Sequence, residues 1–520
     1  MTVRSGPAQF AGAVTAVTAI SWLPVLVGAT TRAAFGWVAA AALALLAVWL
    51  TRRLESNVLI TALVLSSALV PSGLVSEATH YMPVAVTGGA LAVRVVLDAR
   101  RYGLPGLPAM PIVATVGLYL AWAALSTVTS INHRVSAVYL VGMVGVCALG
   151  FWIIPAALVR REDRERLLAG LGALGVAVAL TVYFISVAGG VTLFGRQVGF
   201  YRVLDLTVAG SETGLRFGYS SGAWLTPLEP SVMMAIGILA LLGWSSGRSG
   251  RDLRLAWVAI LFTIPAILLT LDRSAWLTAA VGAGMFTALA YAARLRVRAG
   301  AFVFVFFTAT FLLVFANYLG ANAVSSSTCT ASCAAGGDET IRGGTGLSGR
   351  EYLWRWSFDA IKHRPVLGWG PGNDITAIDR YMTGDAARAG FVLQGLSSHS
   401  TWFRTAVEMG VPGLVLLIAT ALAVAWVFFR PIFRTRALPD ASQLAIGAAV
   451  LGLLPAMTFE TFLLGGVTFS SLILTLGAGL MIGPASAPSR SSGAAAGSGA
   501  KAIEPILNLE PAHADQRHPH

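Results

Sequence analysis

Residues Arg254 to Arg298 read RLAWVAILFTIPAILLTLDRSAWLTAAVGAGMFTALAYAARLRVR, and this stretch decides the fold. It contains two apolar runs, 255–271 and 275–293, each close to the roughly 20 residues that a helix needs to cross a bilayer. Arginines stand at the outer ends of the pair, and only a short turn separates the runs. The pattern predicts two membrane-spanning helices joined by a tight turn. The arginines that flank the pair are expected on the side of the membrane opposite that turn.

The same pattern covers most of the 520 residues. Hydrophobic residues make up 56% of the chain and charged residues 12%, about half the charged share of a soluble domain, and the mean hydropathy is +0.74. The sequence therefore predicts an all-α polytopic membrane protein with about 12–14 transmembrane helices. The candidate spans are 12–30, 34–50, 57–72, 82–98, 109–129, 136–158, 167–187, 225–243, 255–271, 275–293, 300–319, 411–429, 443–459 and 464–482.

The net charge of +12 comes from arginines between the apolar runs, a distribution that orients membrane helices and does not indicate a nucleic-acid partner. Because cytoplasmic loops carry the excess of arginine, we expect these clusters and both termini to be cytoplasmic. Loops of about 188–224 and 320–410 then lie outside a multi-pass protein of the cytoplasmic membrane. The clusters are Arg52–Arg53, Arg100–Arg101, Arg160–Arg166, Arg248–Arg254, Arg294–Arg298 and Arg430–Arg436.

The chain is predicted to hold one integral membrane domain, residues 1–482. An apolar run from about Phe10 is expected to remain as the first membrane helix and not to be cleaved as a signal peptide. Residues 483–520 are rich in Ala, Ser, Gly and Pro, a composition that predicts a disordered cytoplasmic tail.

Three cysteines are present. Cys147 lies within an apolar run and is expected to be a small packing residue. Cys329 and Cys333 lie close together in the long outer loop, where a local disulfide is plausible. A metal site is the weaker alternative, because no partner His or Cys lies nearby.

Ionisable side chains near membrane spans are costly, so they are candidates for function. Asp272 and Arg273 occupy the turn between two spans, and two interpretations stay open: an interfacial cap with an adjacent ion pair, or a cation facing an anionic substrate. Arg216 precedes a span on the outer side, and its side chain is expected to lean into the same cavity as that of Arg273. Glu229, at the top of that span, is expected to pair with an arginine. The ionisable residues inside or at the ends of the predicted spans are Arg94, Asp98, Glu229, Asp272, Arg273 and Glu460.

The long outer loop is predicted to contain two helices. A capping box, Ser348 to Glu351, precedes the first, and Pro365 marks its end. The second is expected to begin near Ser397 or Ser398, to carry His399, a residue type able to accept a proton at neutral pH, and to stop at Gly410. Between them lies GWGPGN, residues 368–373, which is either an ordinary turn or a set of backbone N–H groups for a phosphate.

These motifs resemble the O-antigen ligase and O-antigen polymerase family of bacterial membrane glycosyltransferases. The resemblance rests on LTLDRSAW, SGREYLWRWSFDAI, HRPVLGWGPGN and HSTWFRTAVEMGVPGLVLL, and it covers about Leu269 to Leu417. Two positions depart from the family pattern. Ser400 replaces the usual asparagine after the histidine, and Asp272 replaces the usual serine before the arginine.

The resemblance implies an inverting, metal-independent glycosyl transfer at the outer membrane face, without a cofactor. The donor would be a glycan on undecaprenyl pyrophosphate, and the acceptor a sugar hydroxyl of a glycan or glycolipid. His399 would be the catalytic base, and Arg273, Arg216 and Arg350 would bind the pyrophosphate. Ligase and polymerase remain open, and a lipid-linked oligosaccharide flippase or other secondary transporter is the alternative class.

Overall fold

The computed structural model describes most of the predicted membrane domain. Residues Met1–Ala485 form one compact unit; the predicted tail 483–520 and the predicted span 34–50 lie outside the described residues. The described ranges are 12–19, 56–69, 82–102, 108–158, 161–188, 191–193, 196–198, 201–208, 211–220, 228–325, 350–382, 397–435, 439–462, 464–466 and 468–482.

Helices dominate the described part of the chain. After a helical segment at 12–19 come α1 (Ser56–Leu69), α2 (Met82–Tyr102), α3 (Met110–Val128), α4 (His133–Ala148), α5 (Arg161–Ala188), α6 (Leu228–Ser245), α7 (Arg251–Leu269), α8 (Arg273–Ala292), α9 (Arg298–Ser325), α10 (Arg350–His363), α11 (Asp374–Asp379), α12 (Thr401–Thr435), α13 (Ala441–Ala456) and α14 (Phe469–Ile482). A π-helical turn, Leu149–Ile153, and a short helix, Ile154–Ala157, continue α4.

Seven of the described helices are long and apolar enough to cross a membrane, and five shorter apolar helices accompany them. The prediction of an all-α polytopic membrane protein is confirmed. The spans follow the apolar runs closely because nothing but a helix satisfies every backbone hydrogen bond within one segment in lipid.

Helix α6 lies at the centre of the bundle. It packs against α5, α8 and α13, and nearly all of its residues are buried. A helix that is apolar on every side belongs in such a position. In contrast, α3, α4, α7 and α12 expose apolar side chains such as Leu118, Val141, Leu261 and Val415, which is the surface expected against lipid.

Three of the predicted arginine clusters meet at one end of the bundle. Arg164 Nη2 lies 2.6 Å from Asp440 Oδ2, and Arg248 Nη2 lies 3.2 Å from Glu165 Oε2. Arg296 donates to the backbone carbonyl of Arg248. We call this the arginine end and the opposite end of the same helices the site end. The grouping agrees with the predicted register of loops, while the assignment of the arginine end to the cytoplasm stays a prediction.

The predicted outer loop 188–224 contains strands that the sequence analysis did not anticipate. Strands β1 (Val191–Leu193) and β2 (Arg196–Val198) form one antiparallel hairpin, and β3 (Tyr201–Val208) and β4 (Ser211–Ser220) form another. Each is a two-stranded ribbon beside a helical bundle, so the helical class of the membrane domain is unchanged.

The long loop forms α10 and α11, and α12 follows them. Helix α10 ends at His363, just before Pro365, as predicted. A helical break at Gly410 is also confirmed, since its backbone is non-helical within α12. The predicted start of the second helix is wrong: α12 begins at Thr401, so His399 precedes it. Ser348, Cys329 and Cys333 lie outside the described residues, and so do the capping-box and disulfide predictions that depend on them.

Replacing Gly410 with alanine should destabilise the junction between the loop and the membrane bundle. Gly410 has φ 70° and ψ −179°, a conformation that is essentially restricted to glycine and costs other residues about 1–3 kcal/mol. A Cβ atom there would also lie 2.1 Å from the carbonyl oxygen of Val366. We expect a lower melting temperature and less monodisperse protein in detergent. The matched control is Gly142→Ala, a helical site with no atom within 4 Å of the added Cβ, and an equal loss there would contradict the argument.

Candidate functional site

Glu460 joins two predicted site residues at the site end. Its Oε2 atom lies 3.6 Å from His399 Nδ1, and its Oε1 atom accepts a hydrogen bond from Arg350 Nη2. The side chain of Glu460 is 6% exposed, that of His399 36% and that of Arg350 25%. The carboxylate is therefore buried beneath a histidine that solvent and substrate can reach.

Thr401 fixes the backbone that carries His399 to the backbone that carries Glu460. Its N–H donates to the carbonyl oxygens of Met457 and Glu460, at 2.9 and 3.1 Å. Its hydroxyl donates to Glu460 O at 2.9 Å and accepts from the N–H of Phe462 at 2.8 Å. The turn after α13 and the first residue of α12 therefore form one hydrogen-bonded unit.

His399 itself lies in a left-handed backbone conformation, with φ 47°. Such conformations are uncommon for residues other than glycine, and they concentrate at functional sites. On the other side of this turn, Trp354 of α10 donates from its indole N–H to Ser398 O at 3.1 Å. Its ring stacks on Phe403, with centroids 5.7 Å apart. Contacts from both sides thus hold the histidine in place.

The turn between α7 and α8 lies near the same cluster. Asp272 caps α8 by accepting from the N–H of Ser274 at 3.0 Å, and it also accepts from the hydroxyl of Ser231. Burial raises the pKa of Asp272 to about 6, and the charge of Glu460 contributes to the rise, while Arg350 opposes it. Asp272 is therefore within electrostatic range of Glu460 and Arg350.

Of the two interpretations of this turn, capping is confirmed for Asp272. The adjacent Arg273 is the first residue of α8 and is exposed. The fold thus brings an exposed arginine to the end of the bundle that also carries His399 and Glu460.

Glu229 has a different partner from the predicted arginine. Its Oε2 atom accepts from the hydroxyl of Ser470 at 2.7 Å and from the N–H of Ser470 at 3.3 Å. Ser470 lies in the first turn of α14, where backbone N–H groups lack helical acceptors and favour a carboxylate. The expectation of a Glu229–arginine pair is therefore wrong among the described residues.

The GWGPGN turn does not offer its backbone to a phosphate. Four of its backbone N–H groups donate to carbonyl oxygens of the protein. The N–H of Gly372 donates to the Glu408 carboxylate, and Pro371 has no N–H group. The phosphate interpretation is wrong, and the turn is a structural connection to α12. The four bonds run from Gly368 to Arg364, Trp369 to Val407, Gly370 to Glu408 and Asn373 to Gly370.

A buried ionic cluster lies behind this turn and was not predicted from the sequence. Arg404 Nε lies 2.7 Å from Glu408 Oε1 and 3.5 Å from Asp374 Oδ1. The spacing of Arg404 and Glu408, four residues apart on one helix, was the available signal. The cluster connects α11 to α12 and so supports the loop beneath the candidate site.

Arg216 lies in β4, paired in register with Asp205, and β4 contacts α5 and α7. Its side chain is outside the described part of the structure, so its place in the site stays a prediction. Cys147 is buried and free, as its predicted packing role requires. Among the described residues, no group of three or more His, Cys, Asp or Glu side chains could hold a metal ion.

Together these features define a polytopic membrane protein with an accessible histidine, a buried carboxylate and arginines at one end of its helical bundle. Residues 258–418 match the family model for O-antigen ligase. This segment is therefore similar to the O-antigen ligase family, which confirms the resemblance drawn from the motifs and supports a role in glycan transfer for polysaccharide assembly. No curated protein sequence matches the chain.

The matched segment contains three of the four residues that the sequence analysis assigned to the site. Arg273, Arg350 and His399 fall within it, whereas Arg216 precedes it. Glu460 follows the segment, so its contact with His399 emerges only from the fold.

Proposed function

We propose that this protein transfers a glycan from undecaprenyl pyrophosphate to a sugar hydroxyl at the outer face of the cytoplasmic membrane. The transfer inverts the anomeric centre and needs no metal ion. The proposal rests on the contacts of Glu460, which meets His399 through one carboxylate oxygen and Arg350 through the other. A carboxylate behind a histidine is the arrangement that orients a general base.

His399 acts as the base. Its Nδ1 atom faces Glu460, so that nitrogen carries the proton and Nε2 is left to accept one. The acceptor hydroxyl gives its proton to Nε2 while its oxygen bonds the anomeric carbon from the face opposite the leaving group. The imidazolium that forms is stabilised by the Glu460 carboxylate. The distance of 3.6 Å is within the range of catalytic contacts that tighten when substrate binds.

The bond that breaks joins the anomeric carbon to the diphosphate oxygen, which leaves with the electron pair. The developing negative charge needs cations, and the guanidinium fork binds phosphate through two N–H groups. Arg273 is exposed at the start of α8 and is the first candidate. Arg350 gives one N–H to Glu460 and keeps others for the diphosphate. Arg216 is the third candidate.

The experiment is a donor-consumption assay with the purified, full-length protein. Replacing Arg273 with alanine should slow transfer by about 10- to 100-fold, because removal of one charge-stabilising donor has a large effect but other arginines share the diphosphate. Arg273→Lys keeps the positive charge but loses the planar guanidinium fork, so its transfer rate should lie between those of the wild type and Arg273→Ala. Arg254→Ala, at the arginine end, is the matched control. A wild-type rate for Arg273→Ala would overturn the assigned role.

The same assay separates the proposal from its alternatives. A chelator is included throughout, and its removal of wild-type activity would contradict a metal-independent transfer. If the purified protein moves lipid-linked glycan across a bilayer without consuming it, the flippase or transporter hypothesis replaces the enzyme. Comparing a lipid acceptor with a glycan acceptor then distinguishes ligase from polymerase.

A further inference from the structure

Two arginines lie against one aromatic ring near the C-terminal end of α10. The guanidinium carbon of Arg364 lies 4.6 Å from the centroid of the Trp369 ring, and that of Arg380 lies 5.3 Å from the same centroid. The two cations are therefore no more than about 10 Å apart, which is about one Debye length at 0.1 M salt, so their mutual repulsion is only partly screened. Among the described residues neither has a carboxylate within ion-pair distance. Two neighbouring cations with no counterion in the described part of the chain favour binding of an anion.

The position of this Arg–Trp–Arg unit is fixed relative to two membrane spans. Arg364 Nη1 donates to the carbonyl oxygen of Thr129, the residue after α3 ends, at 3.2 Å. The N–H of Val411 donates to Pro365 O at 2.8 Å, where the membrane part of α12 begins. The unit thus lies where two candidate spans end, at the site end of the bundle.

The adjoining side chains are apolar and exposed. Val128, Val366 and Val411 are each about half exposed or more, as expected of residues that face acyl chains. Arginines beside such side chains are typical of a membrane interface, where the guanidinium can reach the headgroups. Trp369 is only 5% exposed and supports the two arginines through its ring. Arginine is depleted on the outer side of membrane proteins, where the charge pattern is predicted to place the site end. Two arginines there with no counterion among the described residues point to an anionic ligand.

We propose that Arg364 and Arg380, both in contact with the buried Trp369 ring, form a binding site for the phosphate of an anionic phospholipid in the leaflet at the site end. Arginine binds phosphate through its planar fork, and the exposed valines contact the acyl chains of the same lipid. The site is separate from the His399–Glu460 cluster. Arg350, the first residue of α10, belongs to the His399–Glu460 cluster, whereas Arg364 follows His363, the last residue of the same helix. The length of α10 therefore separates the two sites by about 20 Å.

The test uses the full-length protein in detergent, with lipid retention measured by native mass spectrometry. Phosphatidylglycerol should be retained in preference to phosphatidylcholine, and Arg380→Gln should weaken that retention about fivefold, the factor expected for one arginine at an anionic lipid surface. Arg364→Gln should weaken it at least as much. The matched control is Lys362→Gln, which removes one charge from the same region but from a side chain already paired with Asp359 at 3.3 Å.

Three outcomes would overturn the proposal. The first is equal retention of the two lipids by the wild type. The second is an equal loss in Lys362→Gln and Arg380→Gln, which would indicate unspecific charge. The third is displacement of phosphatidylglycerol by inorganic phosphate at the same concentration, which would indicate a simple anion site without a lipid component. Since Arg380 is exposed, its replacement should leave the fold intact, and an unchanged melting temperature confirms that.

Discussion

Replacing His399 with alanine should lower the rate of glycan transfer by about 10²–10⁴-fold, the contribution typical of a general base. The acceptor hydroxyl is a poor nucleophile while it keeps its proton, and the methyl side chain of alanine offers nothing to take it. Donor binding should change little, because the diphosphate is held by arginines and not by the imidazole. The measurement is single-turnover transfer with saturating lipid-linked donor, together with a separate binding assay for the donor.

His363→Ala is the matched control for this experiment. His363 is also an exposed histidine of the long loop, but it ends α10 and contacts the Asp359 carbonyl and the Tyr381 ring. We expect a wild-type rate for His363→Ala. A wild-type rate for His399→Ala, with membrane insertion verified, would remove the base from the proposed mechanism. A donor that no longer binds would instead assign His399 to substrate recognition.

The membrane-spanning helices could be predicted because each one depends only on its own stretch of sequence. Each span must satisfy its own backbone hydrogen bonds in lipid, so an apolar run of sufficient length is enough. The break at Gly410 was visible for a similar reason, since glycine adopts a backbone conformation that other residues avoid. The position of three arginine clusters at one end of the bundle followed from the alternation of charge along the chain.

The start of α12 could not be predicted in this way. Ser397 and Ser398 are good N-terminal caps, and local sequence placed His399 inside the helix. The hydrogen bonds of Thr401 to Met457 and Glu460 hold the preceding turn outside it. Those partners lie more than fifty residues away along the chain, and no local pattern contains them.

Glu460 was visible in the sequence only as an acidic residue between two spans. Its role depends on where Arg350 and His399 fall, and both reach it through tertiary contacts across the loop. The phosphate interpretation of GWGPGN failed for the related reason that the acceptors of its N–H groups, such as Val407 and Glu408, lie on α12. The chemistry of single residues was predictable, and the partners of those residues were not.

Replacing Glu460 with glutamine should lower transfer by about 10²-fold or more, although Glu460 touches no reacting atom. In hydrolases built on a histidine and a carboxylate, the same change costs up to about 10⁴-fold in kcat, because the amide selects the wrong histidine tautomer. Here the amide also leaves the Arg350 guanidinium without its buried counterion. The loss should fall mainly on kcat, since the contact between Glu460 and His399 matters most when His399 is protonated. The KM for donor should change less, through Arg350 alone.

A double-mutant cycle separates this positioning role from a structural one. Glu460→Asp keeps the charge and should recover part of the rate, whereas Glu460→Gln should not, even though its side chain has the size of the original. Combining Glu460→Gln with His399→Ala should cost little beyond His399→Ala alone, because an orienting carboxylate has no function without its histidine. If the two losses multiply, Glu460 acts independently of His399. A melting temperature that falls in parallel with the rate would then assign it to the stability of the turn after α13.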